Sequence, residues 1–252
     1  MLAMVSAAAL AQSPFEFEVA TVKPAENNNG RWIRMQTAHQ FQAKNHTLKT
    51  LIQAAYNLPP SCVSGGPPWV DSDRYDILAK SPGALRPTLD QQMAMLRALL
   101  TDRFQLAFHR GEKEMATYTL TIAKSGSKLK ESTEPLDALP EGPPPLVFVL
   151  SPQSARLPAR NATIAELASV LQRAALDRPV IDKTGLTGRF DFELEWTPEE
   201  SQFGGAGLKG TAESTKPDLF GAIQQQLGLK LEAARGMVAT LIIDRAGHPP
   251  EN

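Results

Sequence analysis

The chain has 252 residues, of which 42% are hydrophobic and 21% are charged, a balance typical of a folded globular protein. Its 26 basic and 27 acidic residues nearly cancel, and a formal net charge of −1 indicates no nucleic-acid partner. The single cysteine, Cys62, excludes an internal disulfide and a cysteine metal cluster. Beyond the N-terminus no run approaches the roughly 18 apolar residues of a membrane-spanning helix. No transmembrane segment is therefore predicted after processing.

The N-terminal residues 1–11, MLAMVSAAALA, predict export. They are largely apolar and end in Ala9-Leu10-Ala11, the small-x-small pattern at which signal peptidase cleaves. The basic residues that usually begin a signal peptide are missing, so we expect that the stretch is a signal-peptide remnant. A buried helix is the alternative, but a stretch with no polar face fits it poorly. The predicted location is periplasmic or secreted.

The two halves of the chain contain similar landmarks in the same order, which predicts an internal repeat. The paired segments are residues 41–48 and 157–164, 74–77 and 189–192, 104–106 and 229–231, and 119–122 and 240–243. We predict an α+β fold of two similar small modules, each with helices packed on a short, mainly antiparallel sheet. The modules would span residues 12–124 and 146–252. Residues 125–145, rich in Ser, Lys, Glu and Pro, are predicted to be a linker.

The clearest pattern in the sequence lies in residues 178–196, RPVIDKTGLTGRFDFELEW. From Phe190 to Trp196 large apolar residues alternate with acidic ones, which predicts a half-buried antiparallel strand with its apolar face toward the core. Val180 and Ile181 form a second, short apolar run. The glycines between the two runs predict that both strands pair as a hairpin.

The triplets Asn45-His46-Thr47 and Asn161-Ala162-Thr163 match an N-glycosylation acceptor, but helix capping explains them better. An apolar stripe with helical spacing follows each triplet. Thr163 and Glu166 also have the spacing of a capping box. Helix starts are therefore predicted just after both triplets.

Several short motifs, spread over most of the chain, are shared with one protein family. They are residues 17–24 (FEVATVKP), 65–69 (GGPPW), 71–77 (DSDRYDI), 99–106 (LLTDRFQL), 178–192 (RPVIDKTGLTGRFDF) and 227–231 (LGLKL). On these motifs the chain resembles a family of exported proteins of unknown function that is expanded in soil bacteria of the acidobacterial type. The similarity extends from Phe15 to Pro250.

The resemblance implies an envelope location, many paralogues per genome, and fusion of some members to antirepressor-type membrane metallopeptidases. It implies no catalytic residue. Each half is also similar in layout to the short N-terminal domain of secretins and TonB-dependent receptors, in which a helix, a glycine-bounded hairpin and an LGL-like helix exit recur. This second similarity concerns the fold, and a fold does not determine a function.

Residue types that occur in enzyme and metal sites are present but do not form the usual motifs. The four histidines, at positions 39, 46, 109 and 248, are far apart in sequence and have no nearby cysteine, so no metal site is predicted. GxSxG and HExxH are absent. An SxxK match, Ser125 to Lys128, lies in a polar segment without the motifs that accompany it in β-lactamases. The sequence therefore predicts no catalytic residue and no cofactor.

Five residues are candidate binding residues: Trp69, Arg74, Asp182, Lys183 and Arg189. Arg74 and Arg189 begin Arg-aromatic-Asp triplets and could present a guanidinium group to a ligand carboxylate. A structural pairing of Arg with Asp is favoured, because the triplet occurs in both halves. Asp182 and Lys183 lie in a polar turn, where binding residues often occur. Trp69 is either an exposed aromatic platform or, as is more usual for a lone Trp, a core residue.

These observations favour a non-enzymatic module of the cell envelope that binds a protein, peptide or glycan. The alternative is an extracellular hydrolase whose catalytic residues are dispersed in sequence, since such an enzyme would also lack local motifs. A deep pocket with converging His, Asp or Glu side chains would favour the hydrolase. Small sheets with an exposed edge would favour binding by strand addition.

We expect signal peptidase to cleave after Ala11. When the full-length gene is expressed in a bacterial host, the intact mass of the purified protein should place Gln12, or a residue close to it, at the N-terminus. Protein that stays in the cytoplasm and retains Met1 would contradict the predicted location.

Overall fold

The computed structural model describes residues 15–26, 30–37, 39–83, 87–134, 146–151, 153–204 and 216–250. The predicted signal segment, residues 1–11, lies outside the described residues, as do residues 135–145 of the predicted linker. Helices and strands both contribute to the fold, which confirms the α+β class. Within the described ranges, none of the helices has the length and apolar character needed to cross a membrane.

The secondary structure is numbered here in chain order. The strands are β1 (Val19–Pro24), β2 (Trp32–Thr37), β3 (Gln40–Thr47), β4 (Val63–Gly65), β5 (Arg74–Lys80), β6 (Ala107–Ile122), β7 (Lys130–Glu131), β8 (Val149–Leu150), β9 (Ala155–Thr163), β10 (Val180–Asp182), β11 (Arg189–Trp196) and β12 (Leu229–Arg245). The α-helices are α1 (Leu48–Tyr56), α2 (Trp69–Ser72), α3 (Leu89–Arg103), α4 (Ile164–Ala174) and α5 (Leu219–Ala222). A π-helical turn, Ile223–Leu227, continues α5.

The chain forms two compact units, and neither is continuous in sequence. The first comprises residues 1–56, 66–108 and 243–252, and the second comprises residues 57–65 and 109–242. The predicted modules, residues 12–124 and 146–252, stay a prediction, and their bounds differ from those of the two units. The described part of the predicted linker contains β7, which pairs with β11.

The first unit contains a four-stranded antiparallel sheet with the order β1-β5-β3-β2. Helix α1 follows β3 directly, and Thr47 Oγ1 accepts a hydrogen bond from the main-chain N–H of Thr50 at 3.3 Å. The helix buries an apolar stripe that has the predicted helical spacing, Leu48, Leu51, Ile52 and Ala55. The capping interpretation of the first Asn-x-Thr triplet is confirmed.

The second unit contains a complete four-stranded sheet, β7-β11-β9-β8, and most of another, β10-β6-β12-β4. Helix α4 begins with the predicted capping box of Thr163 and Glu166. Gly228 ends the last helix in a left-handed conformation with φ +66°. A Cβ atom at this position would lie 2.1 Å from the carbonyl oxygen of Gly126, so a side chain cannot be accommodated there.

The predicted hairpin in residues 178–196 is wrong. Strand β10 pairs in parallel with β6, whereas β11 pairs antiparallel with β7 and β9, so the two strands lie in different sheets. Within β11, Phe190, Leu194 and Trp196 are buried as predicted. Phe192 is only half-buried, and a bulge interrupts the register of β11 at this point. The alternation thus indicates which face is buried but contains no information about the partner strand.

We expect Leu194→Ala to lower the free energy of unfolding by about 2–5 kcal/mol, because Leu194 is fully buried and its removal leaves a cavity. Glu193→Ala is the matched control on the opposite face. Its carboxylate forms an exposed ion pair with Arg156, and such pairs contribute little to stability. Urea unfolding measures both changes. A larger loss for Glu193→Ala than for Leu194→Ala would mean that β11 has the opposite register.

Candidate functional site

Arg74 and Arg189 occupy equivalent local structures at the starts of β5 and β11. Arg74 Nη1 donates to the main-chain carbonyl of Asn45 at 3.0 Å, and Arg189 Nη1 donates to that of Asn161 at 2.7 Å. Both asparagines have a positive φ, 59° for Asn45 and 51° for Asn161, a conformation that Asn adopts more readily than most residues. Each Asn lies in a bulge just before a helix. We call these the Asn45 bulge and the Asn161 bulge.

The aspartates of the two triplets bind the same bulges. Asp76 Oδ1 accepts from the main-chain N–H of Asn45 at 2.9 Å, and Asp191 Oδ1 accepts from that of Asn161 at 2.7 Å. In each triplet the arginine therefore binds the carbonyl of the Asn while the aspartate binds its N–H. These contacts support a structural role for the triplets. Both charged side chains bind the main chain of one Asn, which is a more specific role than a direct Arg–Asp pair.

In the second unit, Asp182 ends β10 and Lys183 follows it. Asp182 Oδ1 accepts from the main-chain N–H of Thr184 at 2.8 Å and from its hydroxyl group at 2.7 Å, so this carboxylate stabilises the turn. The main-chain N–H of Lys183 donates to Leu120, and the residue itself is exposed. Of this predicted pair, Lys183 has its side chain in solvent and Asp182 has a carboxylate oxygen engaged within the turn.

Trp69 is half-buried and does not lie in the core. Its indole stacks on the imidazole of His248, with 4.1 Å between ring centroids and 26° between the ring planes. Tyr75 Oη lies 3.0 Å from His248 Nδ1, and Asp73 Oδ2 lies 3.9 Å from the same nitrogen. We call Trp69, Asp73 and Tyr75 the Trp69 surface; His248 is the fourth residue of the cluster and lies against it. All four belong to the first unit.

Tyr75 connects the Trp69 surface to the core of the first unit. It is 4% exposed, and its ring packs edge-on against Phe104 with 5.1 Å between centroids. Burial, and secondly the Asp73 carboxylate, raise the pKa of the phenol. The hydroxyl group therefore keeps its proton at neutral pH and can donate it to His248 Nδ1 when that nitrogen is unprotonated. The surface thus offers an indole face, a fixed hydroxyl donor and a partly exposed carboxylate.

Of the predicted binding residues, only Trp69 belongs to the Trp69 surface. Arg74 lies between Asp73 and Tyr75 in sequence but binds the Asn45 bulge. Asp182, Lys183 and Arg189 belong to the second unit. The sequence reasoning missed Tyr75 and His248 as site residues, because 173 positions separate them and no local pattern joins them.

The second unit has a shallow cleft of about 350 Å³, lined by Ser125, Lys128, Gly221, Gln224 and Gln225. Lys128 Nζ donates to the main-chain carbonyl of Gln225 at 2.7 Å, so the lysine of the SxxK match binds the helix end. In the part of the chain that the structure describes, no three His, Cys, Asp or Glu side chains are grouped closely enough to bind a metal ion.

His46, in the Asn45 bulge, is a buried histidine with a strongly shifted pKa. Its Nδ1 lies 3.1 Å from Thr50 Oγ1, and the residue is 7% exposed. Burial first, and then the Arg31 and Arg74 guanidinium groups, lower its pKa from 6.5 to about 4. The imidazole is therefore neutral at pH 7, which suits a structural residue beside the bulge.

Comparison with known proteins identifies a family. A family model described as "Protein of unknown function (DUF3738)" matches residues 49–246. The matched range includes Trp69, Asp73 and Tyr75 and ends before His248. No curated protein and no solved structure matches the chain.

We expect the first unit to lose stability as the pH falls from 6.5 to 4. In that window the unfolded chain binds a proton at His46 that the folded chain does not, so the free energy of unfolding decreases by up to about 3 kcal/mol. His46→Asn, which retains a polar atom near Thr50, should lose less stability than wild type between pH 7 and pH 4. Equal acid sensitivity in wild type and His46→Asn would contradict the role of His46.

Proposed function

The chain belongs to the DUF3738 family of proteins of unknown function, and we propose that this member is an exported, non-enzymatic module of the cell envelope that binds a protein, peptide or glycan at the Trp69 surface. The observation that carries the proposal is the chemistry of that surface. A half-buried indole, a buried phenol with its hydroxyl group at the surface, and a partly exposed carboxylate lie together. Tyr and Trp are enriched at binding interfaces, because each combines a large apolar body with a hydrogen-bond donor.

The rigidity of the surrounding elements supports a binding role. Strand β5, which begins at Arg74 and contains Tyr75, is an interior strand of its sheet, between β1 and β3. Phe104, on which the ring of Tyr75 packs, is fully buried. A side chain held by its packing loses little conformational entropy on binding a ligand, so more of the contact energy contributes to affinity.

Export is proposed from the composition of residues 1–11. The predicted internal repeat is supported by the Asn45 and Asn161 bulges, in which an Arg and an Asp bind the carbonyl and N–H of an Asn in the same way. An origin in soil bacteria of the acidobacterial type, and a likeness of each half to the short N-terminal domain of secretins and TonB-dependent receptors, rest on sequence resemblance. Export, the internal repeat, the bacterial origin and the fold likeness are all part of the proposal.

We expect Trp69→Ala to weaken binding of the envelope partner at least about tenfold, which corresponds to about 1.4 kcal/mol. The mature protein is immobilised and incubated with native periplasmic extract, captured molecules are identified by mass spectrometry, and the affinity of each is measured with purified components. Trp32→Ala is the matched control, because Trp32 is also partly exposed but lies in β2.

Circular dichroism establishes that both variants are folded. A partner that binds wild type and Trp69→Ala equally well would contradict the proposed site. Turnover of a captured molecule by the purified protein would instead favour the extracellular hydrolase.

A further inference from the structure

The C-terminal residues Ala246 to Pro250, AGHPP, follow β12, and His248 among them lies against the Trp69 surface. Two successive residues bind the first unit. The main-chain N–H of Gly247 donates to the carbonyl of Phe104 at 2.7 Å. His248 then stacks on Trp69 and has Tyr75 Oη 3.0 Å from its Nδ1. We call residues 246–250 the tail.

The contacts of the tail resemble those of a bound ligand more than those of a core segment. His248 contacts the apolar face, the hydroxyl donor and the carboxylate of the Trp69 surface, yet its side chain remains 58% exposed. Pro249 is partly exposed and Pro250 is exposed. Segments with few buried contacts open at low free energy without unfolding the rest of the protein. The tail therefore makes specific contacts with the Trp69 surface, but little free energy is needed to displace it.

The sequence of the tail indicates what kind of peptide suits the surface. Each proline fixes φ near −65° and has no main-chain N–H, and the residue before a proline is restricted to extended conformations. A His-Pro-Pro segment is thus already close to a polyproline II conformation and loses little entropy when it binds. Aromatic side chains are the usual recognition surface for such segments.

We propose that the tail is a tethered occupant of the Trp69 surface, and that the external ligand is an extended peptide with a ring side chain followed by Pro-Pro, which binds after displacing the tail. This inference rests on the proposed binding function of the same surface. A short tether gives the tail an effective concentration on the order of millimolar, so it competes with any external peptide. An external ligand binds only molecules whose tail has dissociated. Its apparent affinity is therefore the intrinsic affinity multiplied by the fraction of such molecules.

The test uses a fluorescein-labelled synthetic peptide with the sequence of residues 245–252, RAGHPPEN, and the full mature chain. Fluorescence anisotropy should show that the peptide binds His248→Ala at least about tenfold more tightly than wild type, because the weakened tail no longer competes. His109→Ala, which alters an exposed histidine in the second unit, should match wild type. A peptide with alanine in place of its histidine should not bind any variant.

A second pair of variants tests the surface itself. In the His248→Ala background, Trp69→Ala should abolish peptide binding. Tyr75→Phe, which retains the buried ring and removes only the hydroxyl group, should weaken peptide binding severalfold. Equal peptide binding by wild type and His248→Ala, or peptide binding that survives Trp69→Ala, would overturn the inference.

Two further outcomes would also overturn the inference, and the first leaves the proposed function intact. The first is that the peptide does not bind His248→Ala, whereas an envelope partner still binds in a Trp69-dependent way. The Trp69 surface would then be a binding site whose ligand does not resemble the tail. If sedimentation shows a concentration-dependent wild-type dimer that His248→Ala dissociates, the tail occupies a second copy of the chain and not its own surface.

Discussion

The pairing of one Arg and one Asp with the main chain of a single Asn is the interaction on which the described fold depends most. At the Asn45 bulge, Arg74 binds the carbonyl and Asp76 binds the N–H, so an asparagine with positive φ is fixed at the point where β3 leads into α1. The Asn161 bulge does the same between β9 and α4. Because buried main-chain polar groups are costly when unpaired, these contacts stabilise both the bulge and the helix start that follows it.

The residue between the Arg and the Asp is the main difference between the two bulges. Successive side chains of a strand point to opposite faces, so this middle residue faces the core while its neighbours bind the bulge. In the second unit the middle residue is Phe190, which is buried and contributes only packing. In the first unit it is Tyr75, whose ring packs in the same way and whose hydroxyl group reaches His248. The phenol oxygen of Tyr75, which Phe190 lacks, thus adds a polar contact with His248 to the Arg-aromatic-Asp motif.

Local patterns in the sequence predicted both Asn-x-Thr helix starts and the buried residues Phe190, Leu194 and Trp196 of β11. They did not predict the pairing of β10 with β6, because hydrophobic alternation reports a buried face and not a partner strand. They likewise did not reveal the Trp69 surface. Trp69 was a candidate from its residue type, but His248 reaches it only because the chain returns to the first unit at Ile243, near the end of β12. The Arg-aromatic-Asp triplets were recognised as structural, whereas their Asn partners were visible only in three dimensions.

The most direct test of the tail as an occupant of the Trp69 surface is the NMR signal of the His248 imidazole protons in the full chain. We predict a large upfield shift of these protons in the free protein, because the imidazole stacks on the Trp69 indole. If a ligand displaces the tail, saturation of the Trp69 surface with that ligand should move the signals to the values of a solvent-exposed histidine. Imidazole protons at solvent-exposed values in the free protein, or an upfield shift that persists when the bound ligand contacts Trp69, would contradict displacement of the tail.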